Sequence, residues 1–61
     1  MNRYRFDFRE GGEVIHSSAV NFPDDVGALD LAQRLAQYHS VDVWCDRRFV
    51  ARVAKSALRQ S

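Results

Sequence analysis

PDDVGALDLAQRLAQYH, running from Pro23 to His39, is the only long stretch of the chain with a clear helical period, and the segments on either side read better as paired strands. Ala28, Leu31, Ala32, Leu35 and Ala36 recur at i, i+3, i+4 and i+7, so they form one stripe with Leu29 and Tyr38 along its margins. Asp30, Gln33, Arg34 and Gln37 fall on the opposite side, where Asp30 and Arg34 are four apart and can pair in solvent. Asp24 or Asp25 suits the N-cap, and both carboxylates favour the positive end of the helix dipole. As a metal site the two aspartates lack a third oxygen ligand at useful spacing. His39 suits the negative end of the dipole, and the alanines allow a sheet to approach closely.

Upstream, RYRFDFR (Arg3 to Arg9) alternates strictly, as a half-buried strand does, with Tyr4, Phe6 and Phe8 toward the core. Gly11-Gly12 suits a two-residue hairpin turn, because both glycines accept positive φ. The returning VIHSSAVNF then pairs Ile15 with Phe8, Ser17 with Phe6 and Ala19 with Tyr4. That register collects Arg3, Arg5, Asp7, Arg9, Val14, His16, Ser18 and Val20 on the other face, with Asp7 facing His16.

Downstream, Val41, Val43 and Cys45 alternate with Asp42, Trp44 and Asp46, and Phe49, Ala51 and Val53 alternate with Val50 and Arg52. A three-residue loop, Asp46-Arg47-Arg48, keeps the odd-numbered apolar residues of both segments on one face. A helical reading competes, since Phe49, Val50, Val53, Ala54, Ala57 and Leu58 also form a stripe. The β-branched and aromatic residues before Val53 favour a strand, whereas AKSALRQ beyond it reads as a frayed tail or one helical turn. The expected fold is α+β: a two-layer sandwich in ββαββ order, with one helix packed on one face of a small sheet of about four strands. A single domain spans 1–61, with an ordered core over about 2–54 and a basic tail over 55–61.

RYRFDFREGG, the FPDD entry to the alanine-rich helix and VDVWCDRRFVARV together resemble a group of short, uncharacterised bacterial proteins, chiefly alphaproteobacterial, classed as a domain of unknown function. Members of that group open on an aromatic-rich strand ending in Asp-Gly or Gly-Gly and close on a Val-x-Val-Trp-turn-Leu-Val-Ala-Arg hairpin. The resemblance covers nearly the whole chain except its last few residues. It rests on core and turn residues, and Cys45-Asp46-Arg47-Arg48 departs from it where a glycine-containing turn is commoner. It implies the ββαββ order and carries over no activity, cofactor or catalytic residue.

Sixty-one residues suffice for one small domain in which burial only just exceeds ordering entropy, so association with a second chain would help. The lone Cys45 forms no intramolecular disulfide, and with no apolar run of membrane-spanning length and no signal-peptide pattern at the N-terminus the expectation is a cytoplasmic protein without membrane partners. Net charge is +1, too close to neutral for a global field that would attract nucleic acid, although the end of the chain is basic.

No cofactor or metal is expected, because two histidines and one cysteine lack zinc spacing. Gly11-Gly12 lacks the setting of a phosphate loop, Ser17-Ser18 lacks a nucleophile elbow, and a His16/Asp7 pair without a nucleophile is not an active site. The expected function is therefore that of a non-enzymatic interaction module. It forms a homodimer, or binds another protein, through an edge strand or through an open sheet face presenting Trp44, Val50, Arg52, His16, Val20, Arg3 and Arg5. The alternative is a nucleic-acid-binding module in which Arg47, Arg48, Lys55 and Arg59 also contact phosphates and exposed aromatic rings stack on bases.

Overall fold

Alternating aromatic residues, two tight turns and one alanine-rich stripe resolve into five elements. These are β1 (Asn2–Glu10), β2 (Glu13–Phe22), α1 (Asp25–Leu35), β3 (Ser40–Cys45) and β4 (Arg48–Val53). The computed structural model describes residues 1–55. Segment 56–61, with Arg59 and the end of the expected basic tail, lies outside the described residues. The strands form one sheet in the order β2-β1-β3-β4, with every neighbouring pair antiparallel. The fold is therefore the two-layer α+β sandwich in ββαββ order. Residues 48–53, where a helix competed, form strand β4.

Tyr4 and Phe6 of β1 and Val41 and Val43 of β3 are fully buried beneath Ala28 and Ala32 of the helix and Ala36 at its C-cap. Small side chains let the helix backbone come down onto the sheet, while Phe8, Phe22, Leu29, Leu31, Leu35, Val50 and Val53 pack around the rim. Gly27 extends the same logic: a Cβ there would stand 2.9 Å from the ring of Phe22. Asp24 caps the helix by accepting from the Gly27 N–H at 3.2 Å. The helix ends at Leu35, short of the His39 boundary expected from periodicity, because Gln37 to His39 must return the chain to β3. Tyr38, beyond the helix, is 75% exposed instead of lying along its margin. His39 Nδ1 approaches Glu10 Oε1 at 2.6 Å without hydrogen-bond geometry, beside the β1–β2 turn.

Asp25 clamps three elements together. Tyr4 Oη donates to its Oδ1 at 2.5 Å, and the Arg48 guanidinium makes a bidentate pair with it at 3.1 and 3.2 Å. The hydrogen bonds from Arg48 first, and then from Tyr4, hold the Asp25 carboxyl below its ordinary value, while the same carboxylate pushes the Tyr4 phenol up. A depressed carboxyl stabilises the fold above its unfolded value, about 3.9, and that contribution disappears as pH falls through the folded value. A raised phenol contributes fully below about 10, and its contribution is lost as pH rises through the folded value. Urea midpoints followed against pH should therefore fall at both extremes. Asp25→Asn should be less stable at neutral pH and should show a flatter acid limb; an unchanged acid limb would remove Asp25 from the account.

Both hairpins contain an irregularity that moves side chains between faces. Gly11 and Gly12, at φ 60° and 86°, make the expected turn, with Glu10 opposite Glu13 and Arg9 opposite Val14. The register then shifts between Phe8 and Arg9, so Ile15 bulges and His16 faces Phe8, Ser18 faces Phe6 and Val20 faces Tyr4. This shift brings Phe22 to the helix side, where its ring packs edge-on to Tyr4 and Phe6 with centroids 6.2 and 6.3 Å apart. The unbulged register would put Asn21 there, so burial of Phe22 selects the bulge. In the second hairpin the expected three-residue loop is a two-residue turn, Asp46-Arg47, with Asp46 at φ 56°. A shift between Val43 and Trp44 then places Phe49 opposite Trp44 and turns Val50 toward the core.

Candidate interaction surfaces

The uncovered side of the sheet has a charged centre. Asp7 of β1 and Asp42 of β3 stand directly opposite each other, and both are buried, at 7% and 4% exposure. Like charges in such a cross-strand pair repel, so their tolerance depends on the cations around them. Arg52 binds Asp42 through Nε at 2.7 Å and Nη2 at 3.2 Å, and Arg9 approaches the same carboxylate at 3.6 Å. Arg5 Nε lies 3.0 Å from Asp7, which also accepts from Ser17 Oγ at 2.8 Å. The carboxylates are thus roofed by three guanidinium groups.

Aromatic residues lie beside this cluster. Trp44 and Phe49 meet edge to face with centroids 5.1 Å apart, and the Arg5 guanidinium sits 5.4 Å from the centre of the Trp44 ring. Two shallow hollows flank the cluster. One, of about 170 Å³, is lined by Arg9, Gly11, Gly12, Ser40 and Arg52; the other, of about 220 Å³, is lined by Arg3, Arg5, Ala19 and Asp46.

A second surface runs along β2. The helix packs mainly over β3 and β4 and meets β2 near Phe22, beside Gly27, while every residue from Glu13 to Asn21 is exposed. Val14, Ile15 and Val20 show 47%, 52% and 37% of their surface. Because β2 terminates the sheet, its outer backbone groups have no strand to pair with among the described residues. Comparison with protein-family models, curated proteins and solved structures found no match. These surfaces are therefore interpreted from their own chemistry.

Of the residues expected on the open face, Arg3, Arg5, Trp44 and Arg52 are there, but His16, Val20 and Val50 are not. The Ile15 bulge puts His16 on the helix side, with its ring 5.6 Å from that of Phe8, and Val20 opposite Tyr4. The second shift gives the place expected for Val50 to Phe49. Asp7 consequently faces Ser17 instead of His16. Among the basic residues, Arg48 is committed to Asp25, Arg47 occupies the turn, and the Lys55 backbone donates to Ser40 Oγ at 3.3 Å.

Buried Cys45 and His39 stand at opposite ends of β3, about 20 Å apart along an extended strand, too far for a thiolate pair. Among the described residues no group of three or more His, Cys, Asp or Glu side chains is placed to hold a metal ion. No helix there is long and apolar enough to cross a membrane. Sequence reasoning missed Asp42 and Phe49 as members of the open face. Alternation with Trp44 already assigned Asp42 to that side, but its apposition to Asp7 required the β1–β3 pairing.

Proposed function

We propose that this protein is a non-enzymatic interaction module that forms a homodimer by pairing β2 with β2 of a second copy. The observation that carries this reading is the β2 edge itself: an exposed strand of ten residues with no charged side chain from Val14 to Phe22. Proteins ordinarily protect an exposed edge with lysine, proline, an inward charge or a short strand. β2 has a bulge only at its turn end, and His16 to Phe22 continue in unbroken register. The opposite edge is better protected, since β4 has six residues, carries Arg48 and Arg52, and has its own irregularity.

A two-fold axis perpendicular to the sheet pairs the two β2 strands antiparallel and joins both sheets into one. Both helices then stand on the same side of that sheet, with His16, Ser18 and Val20 lining the cleft between them. Pairing also couples the stability of a small domain to its concentration. A lone buried Cys45 supports a reducing, cytoplasmic setting. Ser18→Lys places two like charges close to the axis without disturbing a buried group. Sedimentation equilibrium should show association weakened by about tenfold or more, equivalent to roughly 1.4 kcal/mol, while far-UV circular dichroism remains unchanged. An equally tight dimer would overturn pairing through β2.

A further inference from the structure

We propose that the open sheet face binds single-stranded nucleic acid, an activity separate from pairing through β2. Arg3, Arg5, Arg9 and Arg52 share this face with Asp7 and Asp42, and Asp46 of the β3–β4 turn borders the hollow of Arg3 and Arg5, so four cations stand against three carboxylates. Other acids, Asp24, Asp25 and Asp30, belong to the helix or its cap, so a chain with a net charge of +1 still presents a cationic face. Local charge, not the total, is what a phosphate meets.

The arginines are also pre-oriented. Asp42 holds the Nε edge of Arg52, Asp7 holds that of Arg5, and Gly12 O accepts from Arg9 Nη2 at 2.5 Å. Each guanidinium has five N–H donors, so Arg5 and Arg52, whose side chains are 52% and 59% exposed, retain outward donors for a phosphate oxygen. Because Asp7 and Asp42 lie beneath the guanidinium groups, they orient the cations without meeting the ligand. Arg5 and Arg9 stand about 13 Å apart along β1, and the two hollows at these ends each contain a pair of arginines.

Trp44 and Phe49 distinguish nucleic acid from a merely acidic ligand. They form an aromatic step beside Arg5 on which unpaired bases can stack, and such platforms bind single strands with little dependence on sequence. Duplex recognition fits less well. The outer side of α1 carries Asp30 paired with Arg34 at 3.2 Å, and the described residues supply no other helix for a groove.

Trp44 is the only tryptophan, so its fluorescence reports this face directly. Titration with short oligouridylate and oligothymidylate at about 50 mM salt should quench it. With roughly three phosphate contacts, affinity should fall about 20-fold by about 200 mM salt. Arg3 makes no ion pair among the described residues, so Arg3→Gln should lower affinity and the salt slope while leaving the urea midpoint unchanged. Trp44→Leu should weaken binding of a labelled oligonucleotide, measured by anisotropy. Single strands that fail to bind at low salt would overturn the proposal, as would duplex or polyglutamate binding of equal strength. Repeating the titration with Ser18→Lys separates the two activities, because a monomer should still bind.

Discussion

The double variant Arg9→Ala/Arg52→Ala is expected to lose its fold at neutral pH, and adding Asp42→Asn is expected to restore it. Asp7 and Asp42 lie across the two central strands with Cα atoms about 5 Å apart, and both carboxylates are buried. Removing Arg52 takes away the bidentate partner of Asp42, and removing Arg9 takes away its other cation. An uncompensated buried carboxylate then faces another that is held by Arg5 and Ser17 alone. The pair is asymmetric. Arg52 is mostly solvated and loses little when Asp42 is neutralised, so Asp42→Asn alone should be far milder than the double substitution. Circular dichroism and urea titration of the wild type, single, double and triple variants decide it. A double variant as stable as the wild type would mean that the guanidinium groups do not make the opposed carboxylates tolerable.

Phe6→Ala is the second large effect expected. Phe6 is fully buried between the sheet and the alanine stripe, with Phe22 edge-on to it. Such a truncation costs about 3–5 kcal/mol. A chain of this length has a total stability of about 3–9 kcal/mol at ordinary per-residue values, so the truncation should remove at least about a third of it and lower the urea midpoint in proportion. Ile15→Ala, at the bulge and 52% exposed, should change stability by no more than about 0.5 kcal/mol. This contrast tests the register, because without the bulge Ile15 would face the core beside Phe8. A cost at Ile15 comparable to that at Phe6 would contradict the bulged pairing.

The features legible in the sequence are those with a period. Tyr4, Phe6 and Phe8 alternate, Ala28, Ala32 and Ala36 recur on one helical face, and Gly11-Gly12 permits positive φ, so the elements and their order could be read directly. A bulge leaves no such trace. One added residue reverses every face beyond it, and the decision comes from Phe22, whose ring finds Tyr4 and Phe6 only after Ile15 has been displaced. The same limit applies to Val50 and Phe49: alternation puts Phe49 in the core, whereas the tight Asp46-Arg47 turn puts it against Trp44.

The charged centre of the open face was hidden for another reason. Asp7 and Asp42 are far apart in the chain, and their apposition follows from β1 pairing with β3, which neither hairpin specifies by itself. Each aspartate alone reads as an ordinary solvent-side residue of a strand. Placed opposite each other, they require the arginine roof, and that roof makes the face cationic.

Amide hydrogen exchange along β2, followed over a wide range of protein concentration, reads out whether this edge pairs with a second copy. Pairing of β2 with its copy predicts that its outward-facing amides gain protection as concentration rises, while those at the outer edge of β4 remain fast. Rapid exchange of the β2 amides at every concentration, or protection that grows along β4 instead, would contradict it.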